Sequence, residues 1–234
     1  MNNKIFKSQF KQDKFCFDNF FKNKTKGTFL EIGALDGVRG SNTYAFECLG
    51  WEGICIEPSP ANFELLKNNR KCTCEQYAIV NDDVTEVEFL QVTGKLDVLS
   101  GIPSYFNPSH QKRIDEETKK KNESSEVITV NASTVNKLLK KHGVSHIDLC
   151  SIDTEGGEDR IIKSIDFSAC TMSVLVMENN CSPDDLRDLD VYLNSHGFSF
   201  HTRLSTDRVY LNEKVFLKDD RLTKKKILFV HLNP

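Results

Sequence analysis

Acidic residues recur along this chain just behind its apolar runs. Glu31 and Asp36 lie in TFLEIGALDGVRG at residues 28–40, Glu57 follows GICI, Asp153 and Glu155 follow IDLCSI, and Glu178 follows MSVLVM. A carboxylate accepts hydrogen bonds, attracts cations and, where its pKa is raised, moves protons. One such group at a strand end says little, but a series of them in step with the apolar runs describes the wall of one polar cleft. Two further groups have chemistry to offer. His110 is a titratable imidazole in a polar stretch, and Arg113 can pair with an anionic group.

The elements that must position these groups follow from patterning. The apolar run Phe29, Leu30, Ile32 reads as a buried strand, stopping at Glu31-x-Gly33-x-x-x-Gly37, with Ser41 opening a helix over TYAFECL. Glycines at a strand end let the backbone approach a small molecule, and the helix start adds unpaired N–H groups. A dinucleotide loop would read G-x-G-x-x-G. Leu35 occupies the position of its middle glycine, and Glu31 and Asp36 would repel a pyrophosphate. Two acids suit a cationic ligand instead, such as the amino group and sulfonium of S-adenosylmethionine.

The second strand, ending at Glu57 before Pro58, is followed by a helix over residues 61–70. Glu57 lies 24 residues beyond Gly33, where a carboxylate accepts hydrogen bonds from both ribose hydroxyls of a nucleoside. Residues 74–80 read as a third strand, which brings Tyr77 and Ala78 beside the adenine, and residues 87–92 as a fourth. Residues 93–126 break the rhythm with glycine, prolines and a charged run, and read as an irregular substrate loop or lid. Beyond it come a strand (VITV), a helix over 134–142 with Ser133 as N-cap and Gly143 at its end, and a strand ending at Asp153. A helix over 158–165, a strand over 172–177 ending in Glu178-Asn179, a helix over 183–196 and a closing antiparallel pair follow. The fold class is therefore α/β, a mostly parallel sheet with helices on both faces and an antiparallel closing strand. Its ligand belongs at the carboxyl ends of the strands.

Three regions divide the chain. Residues 1–26 carry Phe10, Phe15, Phe17, Phe20 and Phe21 at helical spacing and form a helical extension packed on the domain; residues 27–212 are the domain itself; residues 213–234 form a charged tail. With 234 residues, 38% of them apolar, and a mean hydropathy of −0.42, the chain can bury one core. A net charge of −3 gives no global field for nucleic acid or anionic membrane. No apolar run is long enough to span a bilayer, and the opening MNNKIFKSQFKQDKF does not read as a secretory signal. Eight cysteines occur without a C-x-x-C spacing, so neither structural zinc nor a disulfide framework is expected. These features read as a reduced, cytoplasmic protein; the oligomeric state is left open.

TFLEIGALDGVRGSNTY, GICIEPSP, DVLSGI, IDLCSIDTEGGE and the opening Ser8-Gln9-x-x-Gln12-Asp13 together resemble the blocks of FkbM-type S-adenosylmethionine-dependent methyltransferases. The resemblance runs over roughly residues 8–212 and implies a Rossmann-like class I methyltransferase fold. It also implies O-methylation of a hydroxyl, often on a sugar or polyketide, with a sugar or glycan as acceptor. Carried over residue by residue, Glu31, Gly33, Asp36 and Gly37 would hold the methionine part, Glu57 the ribose, and Asp153 would face the methyl group. Gln9, Ala34, Asn42, Pro58 and Ser59 fall in the same cofactor blocks, and Ser100 and Glu155 fall on the substrate side with His110 and Arg113. Leu35 departs from the Asn that relatives often carry.

A sugar hydroxyl is a very weak acid, so its proton needs a base or a metal. His110 and Asp153 are the candidate bases. A Mg²⁺-type site would draw on Asp153, Glu178 and Asn179. An RNA ribose methyltransferase would want a basic channel, an NAD-dependent oxidoreductase would want glycine at Leu35, and a binding module would keep the fold without turnover.

Overall fold

Ten strands and eight α-helices account for most of residues 3–216 and 218, which the computed structural model describes. The strands are β1 (Thr28–Ile32), β2 (Glu52–Ile56), β3 (Thr73–Glu75), β4 (Ala78–Ile79), β5 (Glu86–Val92), β6 (Ser125–Ser133), β7 (His146–Ile152), β8 (Thr171–Glu178), β9 (Phe198–Leu204) and β10 (Asp207–Asn212). Seven of them form one sheet in the order β3-β2-β1-β7-β8-β10-β9, parallel except for β10, which runs antiparallel to both neighbours. The order reverses at β1, which has β2 on one side and β7 on the other, so a crevice opens beyond their carboxyl ends.

Alternation along the strands buries both faces. Leu30, Ile32, Ile54, Ile56, Cys150, Ile152, Leu175 and Met177 face one layer. There they meet Leu138 and Leu139 of α5 (Val135–Lys141), Ile161 and Ile162 of α6 (Glu158–Lys163), and Leu189 and Leu193 of α7 (Pro183–Ser195). Phe29, Cys55, Leu149, Val174, Val176 and Val209 face the other layer. Phe17, Phe20 and Phe21 pack there, from the turn that continues α1 (Gln12–Cys16), beside Phe46 of α2 (Tyr44–Cys48) and Leu66 of α3 (Pro60–Asn69). Phe216 of α8 (Glu213–Phe216) is buried in the same layer. The rest of the tail, residues 217 and 219–234, lies outside the described residues.

Three segments differ from the sequence reading. The expected strand over 74–80 divides: β3 stays in the main sheet, whereas β4 leaves it to pair in parallel with β6, whose other edge takes β5 antiparallel. The stretch expected to be irregular contains α4 (Pro108–Lys121), fourteen residues long. Its apolar face is only Ile114 with His110, too sparse for periodicity to reveal. Caps hold it instead. The Asn107 side chain accepts from the His110 N–H at 2.8 Å, Pro108 takes the first position, and Asn122 ends the helix in the left-handed region. Thr134, not Ser133, caps α5, accepting from the Lys137 N–H, because Ser133 is still the last residue of β6.

Candidate active site

A cavity of about 640 Å³ opens over the carboxyl ends of β1, β2 and β7. Its wall begins at the loop after β1. The Gly33 and Ala34 N–H groups both donate to the Ile56 carbonyl at 3.0 Å, and the Asp153 N–H donates to the Ile32 carbonyl at 3.0 Å. The loop is thereby clamped between its neighbours. At Gly33, φ is +83° and an added Cβ would lie 1.7 Å from the Asp153 carbonyl oxygen; no side chain fits. Leu35 adopts φ +47°, uncommon for a non-glycine residue, and its N–H donates to Glu57 Oε2 at 2.8 Å. The Ser59 N–H donates to Glu57 Oε1 at 2.9 Å. Two backbone donors thus fix a carboxylate that lines the cavity while only 3% exposed. Burial pushes it up to about 7, against the two hydrogen bonds that favour its charge.

Glu31 has a different role from the one its position suggests. Its carboxylate accepts from Ser41 Oγ, the Asn42 N–H and Thr43 Oγ1 at 2.6–2.8 Å and pairs with Arg70 at 3.2 Å. Arg70 is fully enclosed, pairs also with Glu47, and donates to the Gly37 carbonyl at 3.0 Å. Glu31 reaches the cavity edge with both carboxylate oxygens already bonded within the protein. Asp36 faces away from the cavity; its Oδ1 accepts from the Val38 and Arg39 N–H groups at 2.8 Å and shapes the loop. Gly37 also lies behind the wall, where an added Cβ would meet Leu66 and Arg70 at 2.6 Å. The helix-dipole expectation fails as well: α2 is five residues long, and Ser41 Oγ already accepts from the Tyr44 N–H. Arg70 is the residue that sequence reasoning missed, since nothing at the end of a polar helix marks it as a partner for two distant acids.

The remaining cofactor-side expectations divide cleanly. Gln9, Ala34, Asn42, Pro58, Tyr77, Ala78 and Asp153 line the cavity, whereas Ser59 sits behind Glu57 with its hydroxyl on Gln91. Asn42 is 5% exposed, donates its amide to Ser151 Oγ, and leaves Oδ1 without a partner. The N-terminal segment closes this end: Ser8 bridges Gly40, and Gln12 Nε2 donates to Asp207 Oδ2 at 2.6 Å.

The floor is acidic. Asp153, Glu155 and Glu178 bring carboxylate oxygens within 4.8 Å of one another, and Glu155 holds its backbone at φ +59°. Asp153 is the most exposed of the three and opens into the cavity, with the cavity walls crowded around its carboxyl. Burial, then Glu178 and Glu155, push its carboxyl well above the usual range. Burial, then Glu178, push Glu155 up to about 8. Behind them Glu158 Oε1 accepts from the Thr154 and Gly156 N–H groups, tying down the 153–157 loop.

Among the substrate-side expectations, Ser100, Arg113 and Glu155 line the cavity. His110 does not. It is buried in α4 with Nε2 3.2 Å from the Leu99 carbonyl and Nδ1 3.2 Å from Glu155 Oε2. Of the expected metal set, Asp153 and Glu178 come together, whereas Asn179 lies outside the cavity with its N–H on the Thr206 carbonyl. Glu155 takes its place in the acidic group. That group offers three protein oxygens, and one of them stands against an imidazole nitrogen.

The model of the Methyltransferase FkbM domain family matches residues 31–200, which span the floor and both walls of this cavity. No curated protein matches the chain. Among solved structures, a putative RNA methyltransferase from Pyrococcus horikoshii is 14% identical over 86% of this chain and 79% of its own, with a TM-score of 0.45. A human methyltransferase 10 domain containing protein is 14% identical over 81% and 72%, with a TM-score of 0.41. M. capricolum TrmK, solved with S-adenosylhomocysteine, is 9% identical over 80% and 61%, with a TM-score of 0.37. Likeness at this level carries no argument about the acceptor.

Proposed function

The chain belongs to the FkbM methyltransferase family, an S-adenosylmethionine-dependent methyltransferase, and from that premise we propose that it methylates a hydroxyl of a sugar or glycan. The cosubstrate supplies an electrophilic methyl group on a cationic sulfur. Residues present here suit it. Glu57 is aimed by two backbone N–H groups to accept from ribose hydroxyls. Asn42 lines the same cavity, and Gly33 lets the loop after β1 close onto the Asp153 carbonyl with no room for a side chain. Tyr77, Ala78, Ile79 and Phe89 supply an apolar wall for adenine.

The observation that carries the acceptor class is the acidic floor. The acids at Asp153, Glu155 and Glu178 can exchange hydrogen bonds with the hydroxyl groups of an acceptor. Phe10 and Tyr105 add ring faces to the same cavity. Incubation with labelled S-adenosylmethionine and a panel of nucleotide sugars, oligosaccharides and RNA tests the proposal. Label on a sugar hydroxyl, undiminished by EDTA, is expected. Label confined to RNA or to protein overturns the acceptor class, and loss of label with EDTA overturns the metal-free floor.

A further inference from the structure

Above its acidic floor the cavity is edged by bases. Lys7, Arg39, Lys95 and Arg113 all line it, and all four are exposed. We propose that the acceptor is a phosphorylated sugar, whose phosphate is held at the mouth by Lys7 and Lys95 while its hydroxyl reaches the floor. The inference deepens the sugar-hydroxyl reading above and rests on it.

Two contacts join the segments that carry these cations into one arc. Ser8, next to Lys7, bridges Gly40, next to Arg39. Arg39 Nη2 donates to both carboxylate oxygens of Asp97, at 2.8 and 2.7 Å. Asp97 lies two residues beyond Lys95 on the short turn Gly94–Leu99. The arc therefore runs from the N-terminal segment, across the loop after β1, to the turn that precedes α4.

The cations on this arc are not equivalent. Arg39 is already paired with Asp97. Among the described residues, no hydrogen bond or ion pair engages the ammonium group of Lys7 or of Lys95. Their backbones are nonetheless held. The Lys7 N–H donates to Asp13 Oδ2 at 2.6 Å, and the Lys95 N–H donates to Glu123 Oε1 at 2.9 Å. Leu96 and Leu99, on the same turn as Lys95, are buried against Ile114 of α4. One exposed lysine is ordinary; two on a fixed arc facing one cavity make a binding edge. Arg113 of α4 lines the cavity as well, 3.6 Å from Glu117 one turn along its helix.

The charge on this edge selects the anion. Two ammonium groups without a protein counter-charge match a group carrying about two negative charges at pH 7, as a phosphate monoester does. A carboxylate supplies one. Further out, Lys14 is paired with Asp18 at 2.5 Å, and Lys112 and Lys121 with Glu116 and Glu117 at 3.7 and 3.3 Å. The uncompensated charge is thus concentrated at the mouth, where it serves one anionic group better than the track of phosphates on a nucleic-acid strand.

Position sets orientation. With its phosphate between Lys7 and Lys95, the sugar extends inward, and the hydroxyl that meets the methyl group is one remote from the phosphate. Phe10 continues the same edge: it is 37% exposed, lines the cavity, and has its N–H on Gln12 Oε1 at 2.8 Å. An exposed ring beside phosphate-binding lysines offers a stacking face for a base. A simple sugar phosphate and a nucleoside diphosphate sugar therefore present the same anion and differ in their use of Phe10.

Calorimetry on the full chain saturated with S-adenosylhomocysteine tests the edge without turnover. Inorganic pyrophosphate is the first probe, since it requires no particular sugar. It should bind the parent protein, and bind Lys7→Glu and Lys95→Glu about 10-fold more weakly. Lys120→Glu, which reverses a charge on α4 outside the cavity, should bind it as the parent does. S-adenosylhomocysteine should bind every variant within about threefold of the parent, which shows that the variants fold. No binding of pyrophosphate, or undiminished binding by Lys7→Glu and Lys95→Glu, overturns the proposal. UDP-glucose and glucose 1-phosphate then separate the two sources of the anion. Phe10→Ala weakens UDP-glucose about 10-fold and spares glucose 1-phosphate if the acceptor is nucleotide-linked, and spares both if it is a simple sugar phosphate; either result keeps the phosphate at the mouth. An RNA oligonucleotide that displaces pyrophosphate at lower concentration than both sugar compounds overturns the proposal in favour of a nucleic acid. Label transferred to neutral sugars as readily as to phosphorylated ones leaves the function proposed above intact and sinks this inference. If the parent protein fails to bind S-adenosylhomocysteine, that function itself fails.

Discussion

At the scale of single residues, the cavity depends on carboxylates whose hydrogen bonds are already assigned. Glu57 is the clearest, since Leu35 and Ser59 hold it from the backbone and leave its remaining lone pairs to a ligand. Hydrogen bonds to a charged group contribute about 1.5–3 kcal/mol, so Glu57→Ala should weaken S-adenosylmethionine binding by about 10- to 100-fold in calorimetry. An unchanged Kd would remove Glu57 from the ligand. Leu35 presents the opposite case, a side chain in a region that costs about 1–2 kcal/mol for most residues and less for asparagine. Leu35→Asn should therefore raise the unfolding free energy by about 1 kcal/mol in denaturant titration, and a loss of stability would show that Leu35 packing outweighs its backbone strain. These residues were legible in the sequence because an acid or a glycine at a strand end has few places to go. Glu31 was legible as an acid of the loop but not as the partner of Arg70, which arrives from 39 residues away.

At the scale of elements, the loop between β1 and α2 is fixed by what surrounds it. Arg70 at the end of α3 bonds to Glu31, Glu47, Ser41, Thr43 and the Gly37 carbonyl from an enclosed position. Removing one member of a buried ion pair costs about 3–5 kcal/mol because its partner stays behind uncompensated. Arg70→Ala should destabilise the protein by that amount and weaken cofactor binding with it; a loss under 1 kcal/mol would show that the loop holds its shape alone. Gly33→Ala tests the other side of the loop. Its Cβ would overlap the Asp153 carbonyl, so binding of S-adenosylmethionine should fall below detection in calorimetry, and retained binding would show that the two strand ends can separate. The parallel strands were readable because their apolar runs are buried on both faces. Helix α4 was not, because a helix held by its caps and by pairs such as Lys121–Glu117 at 3.3 Å carries almost no apolar stripe. Missing it also placed His110 in a loop, free to enter the cavity, when the helix in fact turns it against Glu155 from behind.

At the scale of the whole molecule, the acidic floor links stability to pH. Glu57, Glu155 and Asp153 bind protons more tightly in the fold than in the unfolded chain. Where the folded state holds the extra protons, stability falls as pH rises. His110 and His201, both lowered by burial, act in the opposite sense, but only below about pH 6.5, where the unfolded chain begins to protonate them. Asp148 and Glu75, lowered by their partners, act below the ordinary carboxylate range. Between about pH 6.5 and 8 the floor dominates, and the Tm of the ligand-free protein should fall. S-adenosylmethionine, a cation, favours the charged floor, so the Tm rise it produces should grow over the same interval. A flat ligand-free Tm would show that the floor is already ionised.

The central claim is that the acidic floor receives a sugar hydroxyl, and the atom that acquires the methyl group tests it most directly. Transfer from S-adenosylmethionine carrying a ¹³C-methyl group, followed by heteronuclear NMR of the isolated product, identifies that atom by its coupling partners. A methyl carbon joined through oxygen to a ring carbon of a sugar or glycan is the predicted result. A methyl carbon on nitrogen, or on a ribose within RNA, would contradict it.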